Sequence, residues 1–437
     1  MSELIDLNAE AAEKRRAMLV GIRRPDVSAS ETEGLLDELA ELAKNLEIDV
    51  VGREVVLLRD PSAHYYVGAG KFSEIVAAAR AFDADCIIFD DELSPAQQRN
   101  WESESGLDIV NRQEVILDIF AARAQTREAV LQVELARLEY SLPRLRKAWS
   151  HLDRQRGGGI TQRGGGESQL ELDRRFIGAR IAKLRDELER VRVVRGTQRK
   201  RRMRVPVPTA AVVGYTNAGK SSLINALAKS SLINALAKSS LLAQDKLFAT
   251  LDPTTRRLVL PDSSELLLTD TVGFVRKLPH RFVEAFKSTL EEAVVSDFLL
   301  HVVDSSSPDA AEHIKTTASV LRELGADSKK IIVVMNKIDA LSDDVSARAL
   351  EIEFPDAVWV SAKTGEGLGG LLAKMEDAIA GASKLVKLLV PHSEYRAVAE
   401  LYASGPVLSR RDTDDGAEIS ARIPLRKFPL FEKWISK

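Results

Sequence analysis

One cysteine in 437 residues, Cys86, leaves no partner for an internal disulfide, so the chain is not stapled in the manner of small secreted domains. A lone thiol is far more often a small buried hydrophobe than a nucleophile. No run approaches the roughly 18 apolar residues that a spanning helix needs, and the first thirty residues mix acids and bases without an apolar core segment. Neither a signal peptide nor a membrane anchor is expected. A reducing, cytoplasmic compartment fits, with peripheral membrane association left open beside it. At 48.1 kDa the chain is too long for one ordinary core, which favours two to four domains.

There is also little net charge, only -3, but the total hides a segregation. From Ser141 to Val205, 19 Lys+Arg stand against 7 Asp+Glu, so this segment carries +12 and the remainder about -15. Neutralising a phosphate backbone takes clustered cations rather than a high overall pI. A solvated, salt-bridged helix pair explains the same charge about equally well.

Residues 1–125 alternate short β-rich runs, Val50 to Leu58 and Cys86 to Phe89, with Ala/Glu/Leu helical stretches, the pattern of a small α/β domain. Within it Gly68-Ala69-Gly70-Lys71 lacks the upstream glycine and following Ser/Thr of a phosphate loop, so a structural turn is expected. Over 126–203, Leu131, Leu135, Leu138, Leu142 and Leu145 recur at spacings of four and three, as do Ile177, Ile181, Leu184, Leu188 and Val191. These are heptad seams. Between them lie Arg154, Arg156 and Arg163 with the triplets Gly157 to Gly159 and Gly164 to Gly166, which interrupt any helix. The expectation is an antiparallel helical hairpin with a basic, glycine-rich tip. Its backbone N–H groups and arginines would approach phosphates, with Trp149 and His151 near enough to stack on unpaired bases. The bland alternative is a mobile linker tip.

A basic run, Arg199 to Arg204, and Val205-Pro206-Val207-Pro208 mark the next boundary. Strands and helices then alternate over 204–383, as in a doubly wound, mostly parallel sheet. Residues 384–437 read as a small C-terminal α/β domain. An apolar run, Ala210 to Val213, leads into Gly214-Tyr215-Thr216-Asn217-Ala218-Gly219-Lys220-Ser221, a phosphate-loop pattern in its strand–loop–helix context. Backbone N–H groups would face the phosphates, Lys220 would neutralise the β/γ oxygens, and the Ser221 hydroxyl would ligate Mg²⁺. After the strand Leu266 to Leu268, Asp270-Thr271-Val272-Gly273 offers a carboxylate for the metal's water and, in Gly273, an N–H for the γ-phosphate. Following Ile331 to Met335 comes Asn336-Lys337-Ile338-Asp339, where Asp339 accepts two hydrogens from a guanine edge. Adenine has no matching donor pair, so GTP and GDP are favoured over ATP. Ser361-Ala362-Lys363, after the strand Val358 to Val360, would close over the base. A switch threonine for Mg²⁺ is also required, and Thr250, Thr254 and Thr255 all qualify. Equally telling is a missing glutamine: Phe274 follows Gly273 where many GTPases orient the attacking water. Slow intrinsic hydrolysis, accelerated by a partner, is expected.

Nearly the whole chain resembles the HflX family of ribosome-associated GTPases, in the Obg-HflX group. The likeness rests on Phe248-Ala249-Thr250-Leu251-Asp252-Pro253-Thr254-Thr255-Arg256, on Asp270 to Phe274, on the hairpin stretch Gly166 to Glu171, and on Phe89-Asp90-Asp91-Glu92-Leu93-Ser94-Pro95. It implies that Thr250 is the Mg²⁺-side threonine, catalytic together with Lys220 and Gly273, and that Phe248 to Asp252 belong to the nucleotide site. It further implies a monomer whose N-terminal domain and hairpin enter the large ribosomal subunit and meet rRNA, in splitting or rescuing stalled ribosomes under stress. An RNA-remodelling or chaperone protein with a regulatory G domain is the rival, and a membrane-peripheral regulatory GTPase is a third reading.

One departure stands out: Ser221 to Lys229 reads SSLINALAK, and Ser230 to Lys238 repeats it residue for residue. The resemblance implies a single copy. Nine extra helical residues would turn a straight helix by about 900° and lengthen it by roughly 13 Å, so both copies cannot bury one face. The first copy is expected to keep the packing, because the phosphate loop fixes its start. The surplus would join the switch loop, where insertions cost least.

Overall fold

The computed structural model describes residues 14–147, 169–203, 207–230, 253–262, 264–277, 292–326, 328–341, 344–381, 383–402, 407–424 and 428–435. They fall into two compact units, Met1–Arg190 with Arg276–Phe286, and Val191–Val275 with Lys287–Lys437. The arginine-bearing tip, Phe248 to Asp252 and most of the second repeat copy lie outside the described residues.

The first unit is built on a parallel sheet of order β2-β1-β3-β4, from β1 (Arg16–Arg23), β2 (Asp49–Leu57), β3 (Cys86–Phe89) and β4 (Asp108–Asn111). The apolar run of β1 is buried along nearly its full length, as a parallel strand covered on both faces should be. Helix α1 (Ala29–Asn45) starts at Ser28, whose side chain accepts from the Glu31 N–H. Helix α2 (Ala69–Ala81) starts at the Gly68 turn, and Lys71 within it pairs with Glu54 and Glu74 at 3.3 and 2.6 Å. That lysine is already neutralised by carboxylates. Ser94 and Gln97 form a capping box that opens α3 (Pro95–Ser105), so the Ser-Pro of the 89–95 stretch marks a helix start. Cys86 is buried, and desolvation pushes its thiol up to about 12, which leaves it inert.

Helix α4 (Arg112–Arg123) is followed by α5 (Arg127–Ser141), a 3-10 turn (Leu142–Lys147) and the long α6 (Gln169–Met203). Arg127 pairs with Glu187 and Glu134 with Arg180, an ordering that makes α5 and α6 antiparallel. Leu131, Ile181, Leu184 and Leu188 are buried along the seam, but Leu135 and Leu138 are only half-buried. Because α5 also packs on α4, it buries a second face, Ala129, Val133, Ala136 and Tyr140. A heptad reading sees one partner only.

The second unit holds a six-stranded sheet of order β10-β9-β8-β5-β7-β6. Strands β5 (Thr209–Gly214), β7 (Glu265–Asp270), β8 (Phe298–Asp304), β9 (Lys330–Asn336) and β10 (Val358–Trp359) run parallel, and β6 (Thr254–Val259) pairs antiparallel with β7. Helix α7 (Lys220–Ser230) follows β5 and buries Leu223, Ile224, Leu227 and Ala228 against the sheet. The first repeat copy therefore supplies the helix face that packs on the sheet. Helices α8 (Ala310–Glu323), α9 (Asp344–Glu353) and α10 (Leu368–Gly381) complete the alternation. A three-stranded antiparallel sheet, β11 (Ser383–Val390), β13 (Gly416–Pro424) and β12 (Val407–Thr413), follows, with α11 (Tyr395–Tyr402) on its apolar face. Among the described residues no helix is long and apolar enough to cross a membrane.

Candidate nucleotide site

The four motifs meet at the carboxyl ends of the parallel strands, where open α/β sheets bind ligands. Gly214 ends β5 at φ +145, and a Cβ there would lie 2.1 Å from the Val302 carbonyl oxygen. At Gly219 φ is +87 and a Cβ would meet Asn336 Nδ2 at 2.2 Å. Both positions thus require glycine. Lys220 is 7% exposed, and its Nζ donates to the carbonyls of Gly214 and Tyr215 at 3.2 and 2.7 Å. Burial lowers this ammonium to about 8, against the opposing pull of Asp270. Its Nζ also lies 2.8 Å from where a Cβ on Gly273 would stand, so the first and third motifs touch. Ser221 Oγ donates to Asp270 Oδ2 at 2.6 Å, and Asp270 is fully buried. Thr271 is anchored below the site, its hydroxyl donating to the Val212 carbonyl.

Asn336 joins three motifs. Its Nδ2 donates to Ala218 O at 2.8 Å, and its Oδ1 accepts from the Ala362 N–H at 3.0 Å. Asp339 sits beyond it, with Oδ1 accepting from Ser361 Oγ at 2.6 Å and Lys363 Nζ 3.7 Å from Oδ2. The Ser361 hydrogen bond holds this carboxyl below the usual carboxylate range, so it stays an acceptor at neutral pH. Lys337 adopts a left-handed φ of 67 and pairs with Asp304 at 2.6 Å.

Two sets of sequence comparisons bear on this arrangement. Families described as GTP-binding GTPase N-terminal, GTP-binding GTPase Middle Region and 50S ribosome-binding GTPase match residues 33–121, 123–202, and 209–229 with 228–337. A GTPase HflX from Akkermansia muciniphila is 46% identical over 432 residues, covering 96% of this chain and 97% of its own. The chain belongs to the HflX family of GTPases. Other HflX relatives, from Chlamydia pneumoniae and Escherichia coli, are 42% and 40% identical over 99% and 89% of the chain. The third family match breaks into two segments that meet at the end of the first repeat copy.

For an HflX-family chain the residue after Gly273 matters, and here Phe274 is 2% exposed. Its N–H donates to Gly214 O and its carbonyl accepts from the Thr216 N–H, so it laces the third motif to the first. Its ring packs with Tyr215, Ala293 and Leu299. A side chain so placed cannot orient water. Thr254 opens β6 opposite Asp270, and Thr255 Oγ1 lies 2.9 Å from Thr269 Oγ1, inside the strand pair. Thr250, like Phe248, Ala249, Leu251 and Asp252, falls outside the described residues. Sequence reasoning missed the Asn336 ties, the Asp304 partner of Lys337, and His313 stacked 3.8 Å from Tyr215. It also missed His301, buried in β8, where desolvation and Lys220 hold the imidazole neutral, at about 4. None of these carries a local sequence signal.

Proposed function

We propose that this GTPase binds GTP through Gly214 to Ser221, Asp270 to Gly273, Asn336 to Asp339 and Ser361 to Lys363, hydrolyses it slowly alone, and uses it to gate binding to the large ribosomal subunit. The observation that carries the nucleotide half is the double tie of Asn336, which links the phosphate loop to the two base-side motifs, Asn336 to Asp339 and Ser361 to Lys363. Ser221 and Asp270 are hard oxygen donors beside the phosphate loop, a set that suits Mg²⁺ completed by phosphate oxygens and water. Ser221 and Thr250 would hold that ion, which when bound would neutralise phosphate charge. Lys220 and the Gly273 N–H would then steady charge on the γ-phosphoryl as water attacks.

Base choice gives a direct test. Asp339→Asn exchanges an acceptor pair for an amide that donates, so affinity for GTP should fall about a hundredfold and xanthosine triphosphate should gain relative to it. Calorimetry with both nucleotides decides, and unchanged preference for guanine would remove Asp339 from the site.

The ribosome half is supported by the 50S ribosome-binding GTPase match and the basic segment between Ser141 and Val205. We place the contact on the N-terminal domain and hairpin, within a chain divided at about 125, 203 and 383, in rescue of stalled ribosomes. Replacing Arg154, Arg156 and Arg163 by Ala should leave GTP affinity intact and weaken co-sedimentation with large subunits. The salt slope should also flatten by up to about three, one per lost phosphate contact. Binding to free RNA regardless of nucleotide would instead favour a remodelling role.

A further inference from the structure

Arg276 and Lys277 follow Gly273 by three and four residues, yet they belong to the unit built on Met1–Arg190. There they enter an ion cluster. Lys277 Nζ donates to Asp90 Oδ2 at 2.6 Å and Asp91 Oδ1 at 3.3 Å. Arg276 reaches Glu38 with its backbone N–H at 3.2 Å and its guanidinium at 3.7 Å. Arg112, 2% exposed, pairs with the same Asp90 at 2.5 Å and with Glu38. Lys277 is held at φ 55, a left-handed conformation that a side chain-bearing residue keeps when its surroundings fix it. Asp90 and Asp91 are two of the three acids of the 89–95 stretch, which the nucleotide site leaves without a role.

Exposed ion pairs contribute little, but a pair whose carboxylate is buried is costly to break. Asp90 is 4% exposed. Four residues of chain span at most about 14 Å, so movement at Gly273 is felt at Lys277. We infer that Glu38, Asp90 and Asp91 form a latch that holds the continuation of the third nucleotide motif. A γ-phosphate drawing the Gly273 N–H toward itself works against this latch, whereas GDP does not. These three acids thereby bias the chain toward its GDP form and report GTP to the N-terminal unit, by the reciprocity of coupled sites.

The test is the ratio of dissociation constants for GDP and a non-hydrolysable GTP analogue, measured by calorimetry on the full chain with Mg²⁺. Lys277→Met keeps the stem and removes the charge, Lys277→Arg keeps the charge, and Arg53→Met breaks the exposed Arg53–Asp37 pair elsewhere in the same unit. Lys277→Met should shift the ratio toward the analogue by at least about fivefold, the lower end of ordinary site coupling. Lys277→Arg and Arg53→Met should stay within about twofold of the parent. The latch is rejected if Lys277→Met leaves the ratio unchanged, weakens both ligands in parallel, or is matched by Arg53→Met. A parent chain that binds neither nucleotide overturns both the latch and the guanine-nucleotide reading, whereas failure of the ratio alone leaves that reading standing.

Discussion

Lys220→Ala should lower the affinity for GTP by two orders of magnitude or more. Truncating one partner of a desolvated charge pair costs about 2–5 kcal/mol, and a factor of ten is about 1.4 kcal/mol. The ammonium is almost fully buried at the start of α7 and touches the place where Gly273 approaches the loop, so no solvent cation replaces it. The variant should still fold. Gly214 O keeps the Phe274 N–H as donor, and Tyr215 O keeps that of Ala218. Titration by calorimetry gives the affinity, and binding within threefold of the parent would remove Lys220 from the phosphate site. A pH dependence follows with a definite sign. Without nucleotide the group titrates at about 8, and neighbouring phosphates raise it, so binding takes up a proton above pH 8. Affinity should be level below that pH and fall by up to tenfold per unit above it.

Deleting residues 230–238 should raise the GTPase rate by about tenfold or more while moving GTP affinity less than about threefold. Both flanks of the affected connection are pinned: α7 ends at Ser230 with the first copy in the core, and β6 begins at Thr254 opposite Asp270. The surplus must therefore lie between them. Closing a loop longer by nine residues costs only about 0.4 kcal/mol, too little to unfold the domain or empty the site. Hydrolysis is more demanding, because misplacing a reacting or charge-stabilising group by about 1 Å can cost on the order of a hundredfold. Thr250 sits in that connection. A single-turnover rate in the deletion variant equal to the parent's would falsify the view that the repeat impairs catalysis.

The motifs were recognisable because each is contiguous, and its chemistry belongs to the segment itself. A glycine forced to positive φ, a lysine at a helix start and a carboxylate at a strand end are local requirements. The nine-residue repeat was equally plain, as was the alternation that predicted the doubly wound sheet. The hairpin was foreseen in direction, but its buried faces were not, since α5 serves α4 as well as α6.

By itself the sequence determined that a phosphate-loop pattern, an Asn-Lys-Ile-Asp motif ending in the carboxylate of Asp339 and a basic segment lie on one chain. Only tertiary structure decided how they are connected: Asn336 bonded to Ala218 and Ala362, Phe274 turned inward with its backbone on Gly214, and Arg276 and Lys277 delivered to Glu38, Asp90 and Asp91. Those partners are separated by tens to hundreds of residues, so no periodicity or spacing records them. They exist because burial leaves polar groups no partner but one another.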